Sequence, residues 1–205
     1  MAQLILIAVM LIGLAATPTL GAGWLWDLGN GVGFVAFSGL IFLNIPGASS
    51  KNVQSHKLLG YAVLAMAALH AFWFLLIDSA VIETIKFSAP IYMWLGIAGF
   101  ALLTVLVFIA LPERRLRIHN RSSVFRSWHR GLAITCVCGI AFHIVLSGFY
   151  LHRPYQVVGI AVLLAVTILG GFRGLKITAT TSWRNYCLQC LVCVGIFAGI
   201  RNLFG

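Results

Sequence analysis

The order of apolar and polar positions divides the chain into long apolar runs joined by short polar stretches. Six runs are long enough to cross a bilayer as helices: roughly 3–20, 29–46, 56–77, 90–111, 129–150 and 155–172. A crossing helix needs about 20 predominantly apolar residues. A weaker seventh run lies at roughly 187–204. It is left open whether this run spans, lies in the interface or packs along the bundle. No stretch reads as a soluble domain, and no long linker separates the runs. The expectation is an all-α membrane protein with one domain over 1–205: a six-helix transmembrane bundle, with residues 173–205 as a tail or an extra C-terminal helix. The first run is followed by the small residues of "TPTLGAG", as in a signal peptide, but no basic segment precedes it. A retained helix is therefore expected.

Composition agrees with this pattern. Of 205 residues, 61% are hydrophobic and 9% charged, whereas soluble domains carry about 25% charged residues. The formal net charge of +10 would suggest a nucleic-acid partner in a soluble protein. Here the cations collect in short loops, and no motif interleaves aromatic with basic residues, so no nucleic-acid partner is expected. The loop after the second run holds Lys51 and Lys57. The loop after the fourth, "PERRLRIHNRSSVFRSWHR", is the most basic, and Arg173, Lys176 and Arg184 follow the sixth. The alternate loops, "DSAVIETIKFSA" and "LHRPY", are poorer in cations. Basic loops face the cytoplasm. All three fall on one side if the N-terminus and the C-terminal end of the sixth helix are also cytoplasmic. The third and fifth helices then run parallel, from inside to outside, in what is expected to be a bacterial inner membrane.

Those two helices carry the candidate chemistry. Residues 56–70 read HKLLGYAVLAMAALH, and 129–143 read HRGLAITCVCGIAFH. Each stretch has a histidine at both ends, fourteen positions apart, with no acid between. Fourteen helical residues rise about 21 Å and stop about 40° short of four whole turns. Both histidines of a stretch therefore share one face at two depths. On parallel helices, His56 meets His129 at one level and His70 meets His143 at the other. An ionisable side chain at membrane depth marks a functional site by default. Two facing imidazole pairs are what two bis-histidine haems require, since each iron takes one imidazole above and one below the ring. Gly60, Ala65, Ala67 and Ala68 on one helix, and Gly131, Ala133, Gly139 and Ala141 on the other, leave room for a flat macrocycle. Both stretches begin His-[Lys/Arg]-x-Leu and place Ala two positions before the second His. The competing reading is a haem-free proton or metal transporter. Zinc, however, ordinarily draws thiolates or acids into its site.

These two stretches, with the basic loop before the second, resemble the ferric reductase-like transmembrane domain family. That family includes the membrane halves of ferric reductases and NADPH oxidases and the small bacterial haem subunits of periplasmic methionine sulfoxide reductase. The resemblance covers roughly residues 29–172. It implies a six-helix bundle with two haems b. His56 with His129 would ligate the inner iron, and His70 with His143 the outer one. It further implies an electron-transfer subunit, an oxidoreductase component with no catalytic residue of its own. Such a subunit passes electrons from a cytosolic flavoprotein or quinol to an extracytoplasmic acceptor. Larger relatives continue into an FAD- and NADPH-binding domain. This chain has no room for one after the sixth helix, so the donor is expected to be a separate protein or membrane quinol. The second redox reading is a cytochrome b anchor of a quinone-linked respiratory complex.

The remaining motifs change this picture little. Lys57, Arg126 and Arg130 flank the inner histidines, while His152 and Arg153 follow the fifth helix. The first three are candidates for haem propionates, and positive-inside anchoring explains them equally; His152 and Arg153 are candidates for outer propionates or an acceptor, with an ordinary interfacial role as the first expectation. His119 is expected at the surface of the basic loop. "GNGVG" at 29–33 opens an apolar helix rather than following a strand. It therefore fails as a dinucleotide fingerprint and reads instead as close helix contact. Cys136 and Cys138 read as packing. Cys187, Cys190 and Cys193 form C-x-x-C-x-x-C, part of an iron–sulfur signature without its fourth ligand, and their role is left open. Trp24, Trp26, Trp73, Trp94, Trp128 and Trp183 are expected in the interfacial aromatic belt. Asp27 is expected at the interface or an outer cavity.

Overall fold

The computed structural model describes residues 2–14, 23–45, 53–111, 122–172 and 183–203. Lys51, His119, Arg173, Lys176 and most of the basic loop before the fifth helix lie outside these residues. The elements run in order α1 (Ala2–Leu14), α2 (Gly23–Asn44), α3 (Val53–Ile77), a 3-10 segment (Ser79–Ile85), α4 (Ile91–Ile109), α5 (Ser122–Ser147), α6 (Pro154–Phe172) and α7 (Trp183–Leu203). No strand occurs among the described residues. The chain is an all-α membrane protein. Five helices, α2, α3, α4, α5 and α7, are long and apolar enough to cross a bilayer, whereas α1 and the apolar part of α6, Pro154–Leu169, are shorter.

Three boundaries differ from the sequence expectation. First, α2 starts at Gly23 rather than near residue 29, because the Trp24–Leu28 stretch continues its helix. Second, α5 starts at Ser122, so the last basic turn before His129 is helical. It stops at Ser147 because Gly148 takes a left-handed φ of 66°, a conformation glycine adopts without Cβ strain. Third, α7 is a continuous helix of 21 residues, which decides for a full-length helix at the C-terminus.

The bundle is built around α2. Of its apolar span, 72% is buried, against 11% for α3 and 17% for α4 and α5. It packs on α1, α3 and α7 and also meets α5 and α6. Its small residues explain why. A Cβ on Gly39 would lie 2.6 Å from Val63 Cγ2 and 2.7 Å from the Tyr186 hydroxyl, and one on Gly31 would lie 3.2 Å from Phe197. Neighbouring helices therefore approach α2 at its glycines, as small-residue interfaces permit in lipid. Gly39→Ala should overpack this three-helix junction and cost about 1–3 kcal/mol. Unfolding of the detergent-solubilised chain would register the loss.

A second junction joins α4 to α5. A Cβ on Gly99 would lie 2.6 Å from Ile140 Cγ1, and the Cys136 thiol donates to the Gly99 carbonyl at 3.3 Å. By contrast, α3 and α5 hardly touch each other and are bridged by α2 and α4. At one end of the bundle His56 lies beside His129. At the other, His70 reaches the start of α2 and His143 the start of α4. The two histidine helices are therefore parallel, with a gap between them.

The membrane-facing outline is apolar, with Leu76, Ile91, Phe142, Val166 and Leu191 among the exposed side chains. Trp24, Trp94 and Trp128 are also exposed, as an aromatic belt requires. Trp26 and Trp73 turn inward instead. Trp26 packs on Phe74 and Phe149, and Trp73 donates its indole N–H to the Leu25 carbonyl at 2.9 Å. The side chain of Trp183 lies outside the described residues.

Candidate functional site

The His56 and His129 imidazoles face each other with ring centroids 6.3 Å apart and planes inclined by 61°. A metal about 2 Å from a nitrogen of each ring, with each ring centre about 1.1 Å behind it, separates the centres by about 6.2 Å. The observed spacing leaves room for one metal ion between the two rings. The rings border a cavity of about 320 Å³ whose walls come from α2, α3, α4 and α5. Ligand-sized cavities span about 300–1,000 Å³. Lys57, Arg126 and Arg130 line the same cavity, so the three cations expected near this pair do converge there. Leu40, Leu103, Leu106 and Ala133 supply apolar wall, as the faces of a macrocycle require. Phe125 stacks on His129 at 5.3 Å and 28°. His129 Nδ1 is buried and has no hydrogen-bond partner among the described residues, an orphaned polar atom on a ring that lines the cavity. The space beside Gly60, Gly131 and Gly139 is open to 4 Å.

The His70/His143 pair is built differently. His70 Nδ1 lies 2.8 Å from the Gly29 carbonyl of α2, and His143 Nδ1 lies 2.7 Å from the Tyr92 carbonyl of α4. A carbonyl oxygen only accepts, so each Nδ1 carries the proton and each Nε2 keeps its lone pair. That is the tautomer of a metal-ligating histidine held by an outer hydrogen bond. A chain of ring contacts surrounds the two imidazoles. Phe74 lies 5.3 Å from His70, Trp26 4.8 Å from Phe74, and Phe149 6.3 Å from Trp26. Tyr92 then lies 6.2 Å from Phe149 and 6.3 Å from His143.

His152 and Arg153 are exposed in the turn between α5 and α6. The Arg153 backbone serves the start of α6: its N–H donates to Gln156 Oε1 at 2.9 Å, and its carbonyl accepts from the Gln156 N–H at 3.0 Å. Among the described residues, no three His, Cys, Asp or Glu side chains group as a metal cluster. Cys190 is buried, and Cys187 and Cys193 are half-buried, along the continuous helix α7.

Sequence reasoning missed the partners of Asp27. Its Oδ1 accepts from Arg201 Nε and from the Tyr150 hydroxyl, each at 2.7 Å, and its Oδ2 accepts from Asn202 at 3.3 Å. The guanidinium also lies over the Tyr150 ring at 4.6 Å. Arg201 is 174 residues from Asp27 along the chain. The only signal was an acid just before one apolar run and a base within another, the latter expensive alone in a membrane.

No family model, curated protein or solved structure matches this chain.

Proposed function

We propose that this protein is a di-haem b membrane cytochrome that links an electron donor on one face of a bilayer to an acceptor on the other. The observation that carries the reading is the His56–His129 pair, with ring centroids 6.3 Å apart at the wall of a cavity that three cations also line. The parallel course of α3 and α5 supports it, because it repeats the imidazole pairing at a second depth. The likeness of both histidine stretches to the ferric reductase-like family supports it as well.

In this reading His56 and His129 hold one iron, and His70 and His143 the other. Lys57, Arg126 and Arg130 pair with the propionates at the first site. His152 and Arg153 are the corresponding candidates at the far end. Haems bound there supply reversible one-electron transfer at two depths. The chain orients the ligating imidazoles, excludes water with α2 and α4, and surrounds the second pair with aromatic rings. The positive-inside argument puts the His56 end at the cytoplasm of a bacterial inner membrane, facing a flavoprotein or quinol donor. The acceptor then meets the His70 end.

The test is a visible spectrum with haem quantitation on the purified, haem-supplied chain. Two b-type haems per chain, reducible and low-spin, are expected. A folded chain without a Soret band would remove the redox reading. Gly60→Leu makes a second check. It places a side chain in the cavity beside His56, so the first haem should be lost and the second retained.

A further inference from the structure

We propose that Gly33 and Gly96 are positioning residues. Each leaves a carbonyl on its own helix uncovered, and the exposed carbonyl fixes His70 or His143 as an Nδ1–H donor with Nε2 left for iron. The role assigned to Nε2 rests on the haem reading; the hydrogen-bond device does not.

The physical basis is helix geometry. A helical carbonyl accepts from the N–H four residues later, yet an oxygen has two lone pairs. The second one faces outward. A helical side chain leans toward the N-terminus and covers the turn before its own Cα. The side chain at position i+4 therefore lies over the carbonyl of residue i. Glycine at i+4 removes that cover and admits a donor from a neighbouring helix.

The chain uses this device four times. Trp73 donates to Leu25, and a Cβ on Gly29 would lie 2.5 Å from its ring. His70 donates to Gly29, and a Cβ on Gly33 would lie 2.7 Å from its Nδ1. His143 donates to Tyr92, and a Cβ on Gly96 would lie 2.9 Å from its Nδ1 and Cε1. Tyr186 donates to Val35 at 3.0 Å, and a Cβ on Gly39 would lie 2.7 Å from its hydroxyl. In every case the glycine stands four positions after the acceptor. The longer Cys136 bond to Gly99 is formed without one. Two of the four cases serve His70 and His143, from two different helices. "GNGVG" thereby acquires a specific meaning: Gly29 supplies the acceptor for His70, and Gly33 uncovers it.

Alanine at Gly33 or Gly96 must push an imidazole off its carbonyl. Loss of such an outer hydrogen bond typically costs about 10–100-fold in metal affinity. The experiment compares wild type, Gly33→Ala, Gly96→Ala and Gly195→Ala as full chains in detergent. A Cβ on Gly195 meets nothing within 4 Å, so that variant controls for a helical glycine-to-alanine change. Two readouts are taken. Histidine ring ¹⁵N spectra of the reduced, diamagnetic chain report which nitrogen of each ring bears the proton. Haem titration reports the affinity of each site.

Wild type should show His70 and His143 protonated at Nδ1. Gly33→Ala should perturb the His70 ring, and Gly96→Ala the His143 ring. Each should weaken one haem about 10–100-fold and leave the other unchanged, while Gly195→Ala matches wild type. Unperturbed ring nitrogens and haem affinity in both glycine variants would overturn the proposal, as would an equal effect from Gly195→Ala. If the variants do not fold, the wild-type spectrum decides, and Nδ1 without a proton at His70 and His143 overturns it. A wild type without haem would defeat the proposed function alone, because the ring spectra still read the hydrogen bonds.

Discussion

Replacing His70 with alanine is expected to lower the haem content of the purified chain from two to one, and His143→Ala should remove the same haem. The reason lies in the pairing. In the di-haem reading, a site that loses one of its two imidazoles would keep only half its protein ligation, and among the described residues no three His, Cys, Asp or Glu side chains group to replace it. Combining His70→Ala with His143→Ala should therefore cost no more than either change alone. Combining His70→Ala with His129→Ala should remove both haems, because the pairs lie at opposite ends of the bundle. This non-additivity within a pair, and additivity across pairs, is how energetically coupled and independent sites behave. Haem quantitation on the two double variants checks it. If the first double variant loses both haems, or the second retains one, the assignment of partners is wrong.

Arg201→Leu should produce the largest loss of stability. The Arg201 and Asp27 side chains are only 6% and 13% exposed, and their ion pair closes α7 against α2. Without the guanidinium, the Asp27 carboxylate keeps Tyr150 and Asn202 as donors among the described residues. Removing one partner of a buried pair costs about 3–5 kcal/mol, whereas replacing both with apolar groups is often close to neutral. Asp27→Leu combined with Arg201→Leu should therefore recover much of the lost stability. Thermal or denaturant unfolding of the solubilised variants would measure both effects. A double variant as unstable as Arg201→Leu would show that the cost comes from lost packing over the Tyr150 and Phe197 rings, not from a stranded charge.

The two networks meet on α2. Asp27 lies two positions before Gly29, whose carbonyl holds His70. The ion pair that anchors the end of α7 and the hydrogen bond that orients a candidate ligand thus depend on the same helical turn. Loosening of that turn in Arg201→Leu should disturb the His70 site before the His56 site, which lies at the other end of α2.

Hydrophobic run length, loop charge and histidine spacing are local properties, and they were legible in the chain before any coordinates. They determined that this is an all-α membrane protein, that α3 and α5 run parallel, and that the four histidines stand in two levels. The reason is that lipid demands internally bonded helices of a set length, and helical pitch then converts spacing into depth. Tertiary structure alone decided the rest. It made α2 the buried centre, since all apolar helices look alike to a periodicity argument and only packing selects which one loses its lipid face. It completed α7 as a full-length helix, with Arg201 placed where Asp27 needs a counter-charge. It also gave the glycines of α2 and α4 their separate tasks. A glycine in the sequence says only that a Cβ is missing; which carbonyl this uncovers, and which imidazole reaches it, depends on the helix that arrives from elsewhere in the chain.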